Sequence, residues 1–179
     1  MKKSLLFIFT GIFLFVACSQ KEKESEEKTD EPNQEVMYEE IIELEQKLFE
    51  KTEPDAVLAQ QMIDKYVNYA NKFHEDTNAP EFLFKAAEIA MNFGQPANSV
   101  NYLSRIEARY KEYDKYGACL FLKAYIYDYY LKDKEQAEKY YQKFIDEFPE
   151  HNLVEDANAA LMFLDLDDAE LIRKFEQMN

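Results

Sequence analysis

The sequence predicts an all-α protein, a tandem stack of about three antiparallel helical hairpins with a C-terminal capping helix. Three observations predict it: apolar residues recur at helical spacing from residue 36 onward, the pattern repeats at a nearly constant interval along the chain, and glycine is scarce. With only 3 glycines in 179 residues, the chain lacks the turn signals of a multi-stranded sheet. Hairpins this short bury their apolar faces only by stacking on their neighbours, so we expect a solenoid.

Residues 1–17 have the composition of a secretory signal peptide. Lys2 and Lys3 precede an uncharged run from Leu5 to Ala17, and the chain becomes polar and charged from Ser19 onward. A positive start followed by a short apolar segment is typical of export signals. The run is too short for a membrane-spanning helix, which needs about 20 residues. We therefore expect residues 1–17 to be an export signal.

Cys18 stands directly after this segment. Leu14-Phe15-Val16-Ala17-Cys18 resembles the lipobox of bacterial lipoproteins, although Phe15 stands where Leu is more usual. The resemblance implies that Cys18 carries several acyl chains, which hold a protein firmly in a membrane. It also implies a place in the bacterial envelope, in the outer membrane on its periplasmic or surface side. An ordinary secreted protein with a cysteine at the cleavage point is the alternative.

The chain after the signal is strongly acidic. Removal of Lys2 and Lys3 lowers the net charge from −15 to −17. Such a chain repels phosphate backbones, which argues against a nucleic-acid partner, and it repels anionic lipid head groups. Residues 18–35 have almost no apolar side chains, so we interpret them as the lipidated cysteine and a disordered acidic tether. Residues 36–179 are the predicted helical repeat domain.

Helical stripes follow one another along this domain, with apolar residues three or four positions apart. They are Met37, Ile41, Leu44 and Leu48; Ala59, Met62, Tyr66, Tyr69 and Phe73; Phe82, Ala86, Ile89 and Phe93; Val100, Leu103, Ile106 and Tyr110; and Ala137, Tyr140, Tyr141, Phe144, Ile145 and Phe148. We predict eight helices with short joints and no strand. The last helix should cap the stack with Leu171, Ile172 and Phe175 facing inward.

Capping residues and prolines indicate where the helices begin. Asp133 and Asn152 each stand three residues before a Gln or Glu, the spacing of a capping box. Pro54, Pro80 and Pro96 stand where first turns would begin, since the missing N–H is not needed there.

Two copies of the hairpin align without a gap at one constant interval, which we call the long period. It pairs Phe82 with Leu120, Lys85 with Lys123, Ala86 with Ala124, Phe93 with Leu131, Tyr102 with Tyr140, Ile106 with Phe144 and Tyr110 with Phe148. A weaker copy precedes them at an interval shorter by one, the short period, which pairs Tyr66 with Leu103, Tyr69 with Ile106 and Phe73 with Tyr110. One register therefore covers both helices of the last two copies.

The last full copy resembles a tetratricopeptide repeat through Ala124–Tyr127, Ala137, Tyr141, Phe144 and Pro149. It departs from that family in lacking Trp and Gly in its first helix, in Phe144 where Ala is usual, and in one extra residue in the hairpin loop. The stretch from residue 140 to 157 is similar to the divergent repeats of envelope proteins, such as the lipoprotein of outer-membrane barrel assembly and the Tol–Pal coordinator. The resemblance implies a right-handed stack of antiparallel helix pairs that binds proteins.

No pattern of catalytic or metal-binding residues emerges. The scarcity of glycine excludes phosphate-binding loops, and His74 and His151 lack the i, i+4 spacing of a helical metal site. Cys119 reads as a small buried apolar residue. We expect no enzymatic activity, no cofactor and no metal.

The family resemblance also implies a binding surface, because the first helix of each pair lines the groove in tetratricopeptide folds. It places Phe121, Tyr125, Asp128 and Tyr129 on that face. Aromatic rings with one acid suit an apolar or a basic protein segment rather than a peptide carboxylate. The leading hypothesis is a membrane-anchored protein–protein interaction scaffold of the envelope. The alternative is an accessory lipoprotein of a surface system that binds a ligand or nutrient.

Overall fold

The structure, a computed structural model, describes residues 33–50, 55–166 and 168–178. These residues form eight α-helices and one π-helical segment, and no strand occurs among them. The elements are α1 (Gln34–Phe49), α2 (Ala56–Lys72), α3 (Ala79–Asn92), α4 (Pro96–Arg109), α5 (Tyr116–Tyr125), the π-helical segment (Ile126–Leu131), α6 (Lys134–Glu147), α7 (Val154–Phe163) and α8 (Asp168–Met178). No helix in the described ranges combines the length and the apolarity needed to cross a bilayer.

Successive helices pack on one another and form a stack of hairpins, which confirms the predicted fold class. The first hairpin is α1–α2, the second is α3–α4, and the third is α5 with its π-helical extension and α6. Two apolar clusters fill the stack. The first joins α1, α2 and α3, and the second runs from the second hairpin through α7. Packing both within hairpins and between neighbouring hairpins therefore stabilises each repeat.

An identical backbone turn closes the second helix of each hairpin. The N–H groups of Phe73, Tyr110 and Phe148 donate to the carbonyl oxygens four residues earlier, at 2.8, 2.8 and 2.9 Å. Three residues after each of these, a second N–H donates to the carbonyl of the closing residue, at 2.9, 3.0 and 3.0 Å. Successive turns are separated by one short period and then one long period, so the backbone repeats at the predicted intervals.

The loops inside the second and third hairpins each contain one residue in the left-handed region. Gly94 has φ 74° and Lys132, which stands one long period later, has φ 55°. The first helices begin at Ala79 and Tyr116, only one short period apart. The third hairpin therefore contains one extra residue within its first helix. A π-helix closes i→i+5 hydrogen bonds, so the segment from Ile126 to Leu131 accommodates that residue.

This insertion corrects part of the predicted register. The long period is right for the second helix and for Phe93 with Leu131, but it is off by one at the start of the first helix. Leu120 corresponds to Leu83 there, and all four of Leu83, Leu120, Ala87 and Ala124 are buried. The extra residue lies in the helix and not in the loop, because the π-helical turn absorbs it before Lys132 is reached.

The position where the two helices of a hairpin cross holds a small residue in both copies. Ala137 is fully buried, as predicted, and its counterpart Ser99 is buried too. The Ser99 hydroxyl donates to the carbonyl oxygen of Ala87 at 2.7 Å, so the buried polar group is satisfied. A small side chain here lets the two backbones approach closely.

The ends of the domain differ from the predictions in detail. Gln34 and Glu35, assigned to the tether, belong to α1, since Asn33 caps the helix by accepting the N–H of Glu35 at 3.0 Å. Residues 1–32 and Pro54 lie outside the described residues, as does Asp167, which stands three residues before Glu170 and is a further predicted helix cap. Ile172, predicted to face inward, is 60 % exposed, so the prediction is wrong for this residue. The side chains of Leu171 and Phe175 also lie outside the description.

The start of α7 uses a different cap from the one predicted. The helix begins at Val154 after Leu153, and Asn152 makes no capping hydrogen bond. Instead the Nδ1 atom of His151 accepts the N–H of Leu153 at 3.2 Å. The imidazole of His151 is half-buried and meets the ring of Phe144 edge-on, so this histidine has a structural role.

Candidate functional site

Three tyrosine rings contact one another at the end of the first helix of the third hairpin, and we call them the tyrosine patch: Tyr125, Tyr129 and Tyr130. The rings of Tyr125 and Tyr129 are stacked, with centroids 5.6 Å apart and planes only 4° from parallel. The Tyr130 ring meets both edge-on, at 6.0 and 5.2 Å. Four residues apart, Tyr125 and Tyr129 therefore point in the same direction, as the sequence predicts.

The patch is unusually open to solvent for aromatic side chains. Tyr129 is 59 % exposed and Tyr130 is 37 % exposed, whereas Tyr125 is half-buried beneath them. Two of the three rings lie on the π-helical segment, and their counterparts in the second hairpin are Met91 and Asn92. The inserted residue and the exposed aromatics thus occur together in one turn of helix.

Charged groups of both signs flank the patch. The Nζ atom of Lys132 lies 5.0 Å from the centroid of the Tyr129 ring, a cation–π distance. Asp128 is half-buried and accepts a long hydrogen bond from the Tyr141 hydroxyl, at 3.5 Å. No described lysine, arginine or histidine lies within ion-pair distance of Asp128. The carboxylate therefore has spare hydrogen-bonding capacity.

Burial raises the pKa of the Tyr125 hydroxyl, and the negative charge of Asp128 acts in the same direction. The same two causes raise the pKa of Tyr141. Both hydroxyls are thus protonated at neutral pH and act as hydrogen-bond donors.

The structure separates Phe121 from the other residues predicted for this site. The half-buried Phe121 ring meets Tyr141 and Phe144 edge-on, at 5.8 and 5.5 Å. It therefore packs against α6 within its own hairpin. The rings of Tyr125 and Tyr129 contact each other, and Asp128 precedes Tyr129 in the chain, but their role as a binding groove stays a prediction. Tyr130 and Lys132 also belong to this site, and sequence reasoning missed both. The signal that could have identified Lys132 is its position one long period after Gly94.

An ionic cluster around the buried Lys123 connects the third hairpin to the second. Lys123 is only 3 % exposed, and its Nζ atom donates to Glu107 of α4 at 2.8 Å and lies 4.2 Å above the Tyr140 ring. Lys143 of α6 donates to the other oxygen of Glu107 at 2.5 Å. The Tyr127 ring of the π-helical segment stacks on Tyr140 at 5.7 Å. These contacts give the tyrosine patch a rigid base.

Opposing effects set the pKa of Glu107. Burial favours its neutral form, but the hydrogen bonds and charges of Lys123 and Lys143 outweigh burial and hold the pKa of this carboxyl below its usual value. Glu107 is therefore ionised at neutral pH.

Neither His74 nor Cys119 has the surroundings of a catalytic or metal-binding residue. His74 is exposed, and its Nε2 atom lies 3.1 Å from a carboxylate oxygen of the neighbouring Glu75. The thiol of Cys119 is buried, and burial raises its pKa to about 12, so it is a poor nucleophile. In the described part of the chain, no group of three His, Cys, Asp or Glu side chains is arranged to hold a metal ion.

Comparison with known families finds one match. Residues 118–151 match the family model described as Tetratricopeptide repeat, a span that contains the whole tyrosine patch. No curated protein and no solved structure matches the chain. The matched repeat supports a protein–protein interaction scaffold, and such repeats commonly bind protein partners and are typically non-enzymatic. The similarity to the barrel-assembly lipoprotein and to the Tol–Pal coordinator stays a prediction.

Proposed function

We propose that this protein is a membrane-anchored scaffold of the bacterial envelope, which binds a protein partner through the tyrosine patch. The observation that carries the proposal is an exposed three-ring cluster on the one hairpin that matches the tetratricopeptide family. Tyrosine is enriched at interfaces because its ring is apolar and its hydroxyl is polar. A few such rings commonly supply most of the binding free energy of an interface.

The rigidity of the site supports its role as a binding surface. Tyr125 and Tyr129 are already stacked, so their side chains lose little conformational freedom when a partner binds. Below them, Tyr127 stacks on Tyr140, and Lys123 and Glu107 connect the helices. The free protein thus presents the patch in a preformed geometry.

The anchor rests on the sequence at Cys18. An uncharged segment ends at Ala17, and Cys18 occupies the position that lipidation requires. The acidic tether and domain repel anionic head groups, so the repeat domain would stand away from the membrane surface while the lipid holds it there.

Cell fractionation tests the anchor. Replacing Cys18 with Ser should move the protein from the membrane fraction to the soluble fraction, since the acyl chains supply the membrane affinity. A Cys119→Ser variant is the matched control, because that thiol is buried in the repeat domain. If the Cys18→Ser protein stays with the membranes, the anchor assignment is wrong.

Site-specific photocrosslinking in intact cells tests the binding surface. A crosslinking amino acid at Tyr130 should capture a protein that the same amino acid at Tyr38 does not. The two positions are matched in residue type and exposure, at 37 % and 38 %, and Tyr38 lies far along the chain in α1. The Tyr125→Ala, Tyr129→Ser double variant should abolish that capture while circular dichroism stays unchanged. Equal capture from both positions would show that the tyrosine patch is not a specific binding surface.

A further inference from the structure

We infer that the tyrosine patch binds a basic segment of its partner, with an arginine side chain seated on the ring of Tyr129 and paired with Asp128. This inference rests on the proposed function and names the chemistry of the partner. The juxtaposition that carries it is an exposed aromatic face, a cation already lying over that face, and a neighbouring carboxylate without a described cationic partner.

Lys132 shows that this ring face accepts a cation. Its Nζ atom lies 5.0 Å from the Tyr129 centroid. Among the described residues, Lys132 is the one non-glycine residue with positive φ, and its counterpart Gly94 shows what the loop normally carries. A non-glycine residue in the left-handed region is strained by about 1–2 kcal/mol. The chain thus keeps a strained lysine at the position from which an ammonium group reaches the exposed ring.

Asp128 supplies the second element of recognition. Among the described residues, its carboxylate accepts a hydrogen bond only from Tyr141, and its charge adds to the raised pKa of the Tyr125 hydroxyl within the patch. A guanidinium group is planar, stacks on aromatic rings and pairs with a carboxylate. Arginine therefore suits this arrangement better than an apolar side chain, which would leave Asp128 desolvated without a partner.

The net charge of the chain favours the same occupant. At −15 for the full sequence, the protein attracts basic segments and repels acidic ones over the range that salt screening allows. In this arrangement Lys132 acts as an internal competitor, because it occupies the face of Tyr129 that the incoming arginine needs.

Peptide titration tests the inference with the full-length chain in a non-ionic detergent. The probe is an acetylated peptide amide with three arginines spaced by Gly-Ser, and the comparison peptides carry citrulline, leucine or glutamate at those positions. Ring signals of ¹³C-labelled tyrosine report binding by nuclear magnetic resonance. We expect the arginine peptide to bind most tightly and to shift the signals of the patch. Tightest binding by the leucine peptide, or equal binding by citrulline and arginine, would overturn the inference.

Two pairs of variants separate local recognition from general attraction. Lys132→Met and Lys134→Met each remove one positive charge, from the loop and from the first residue of α6, but of these two lysines only Lys132 has a described ring contact. We expect Lys132→Met to tighten arginine-peptide binding about three-fold relative to Lys134→Met. Asp128→Asn should weaken binding about five-fold relative to Glu138→Gln on exposed α6. Equal effects within either pair would overturn the inference.

The outcomes also separate this inference from the proposed function. If crosslinking at position 130 captures a protein in cells but the arginine peptide fails to shift the patch, the scaffold assignment stands and the basic partner is wrong. If neither experiment succeeds, both are wrong.

Discussion

The second and third hairpins of this protein repeat one another in backbone and differ by a single residue. Both enter through the same hydrogen-bonded turn and both pass through a left-handed residue, Gly94 in one and Lys132 in the other. The second hairpin reaches its loop by a regular α-helix, whereas the third uses the π-helical segment and exposes tyrosines there. A repeat therefore accommodates an insertion at the end of its first helix by forming a π-helical turn there.

The two hairpins also differ in how they are joined to the preceding one. Between the second and third, Glu107 of α4 connects to Lys123 of α5 and Lys143 of α6. The residue one short period before Glu107 is Ala70, which is buried at the preceding junction. The position of Glu107 is thus apolar at the preceding junction, where Lys85 of α3 pairs instead with Glu45 of α1 at 2.7 Å. Separate variants of the ionic junction, the helix crossing and the left-handed residue show which of these features stabilises the third hairpin.

The largest effect is expected at the ionic junction. Glu107→Gln should lower the free energy of unfolding by about 3–5 kcal/mol, because it leaves the charge of Lys123 buried without a counter-ion. Urea denaturation measures the loss. A Glu107→Leu, Lys123→Met double variant should recover much of it, since a buried ion pair is replaceable by apolar side chains. If the single variant is as stable as the native chain, the cluster does not hold the junction.

The pH dependence of the same variant follows from the pKa of Glu107. Since the folded protein holds this pKa below the ordinary value of 4.5, the carboxylate stabilises the fold above that pH. The contribution is lost as the pH falls through the depressed folded value. The native chain should therefore lose more stability than Glu107→Gln on acidification from pH 7 to below 4.5. An equal loss would show that Glu107 is not linked to folding.

Overpacking of the helix crossing should have an intermediate effect in both hairpins. Ala137→Leu and Ser99→Leu should each cost about 1–3 kcal/mol, because both positions are fully buried between helices. Ser99→Ala is the control and should cost only about 0.5–1.5 kcal/mol, the contribution of one hydrogen bond. Chemical denaturation of the three variants checks whether the two crossings are equivalent. A loss at only one of them would show that the hairpins pack differently.

The smallest effects are expected at the left-handed residues, and they should have opposite signs. Gly94→Ala should destabilise by about 1 kcal/mol through backbone strain alone, since an added Cβ would meet no atom within 4 Å. Lys132→Gly should stabilise by about 0.5 kcal/mol, because relief of strain exceeds the entropy cost of glycine and the lost ring contact. Thermal melting resolves both. A loss of stability in Lys132→Gly would show that the lysine contact outweighs the strain.

The sequence by itself determined the helices, their period and the buried face of each hairpin. Ala137 was identifiable because it begins an apolar stripe of helical spacing and the repeat needs a small residue there. Such features depend on neighbours three or four residues apart, so a linear pattern reveals them. Tyr125 and Tyr129 were identifiable for the same reason.

Only the tertiary structure decided where the extra residue lies and which groups meet across hairpins. An ungapped alignment pairs Ala86 with Ala124 equally well by residue type, and the turn hydrogen bonds alone show that Ala87 is the true counterpart. The Glu107–Lys123 pair and the cation over Tyr129 likewise depend on helix packing and on the conformation of one loop residue. These features arise from distances between chain segments, and a π-helical turn changes such distances without altering the apolar pattern that local sequence records.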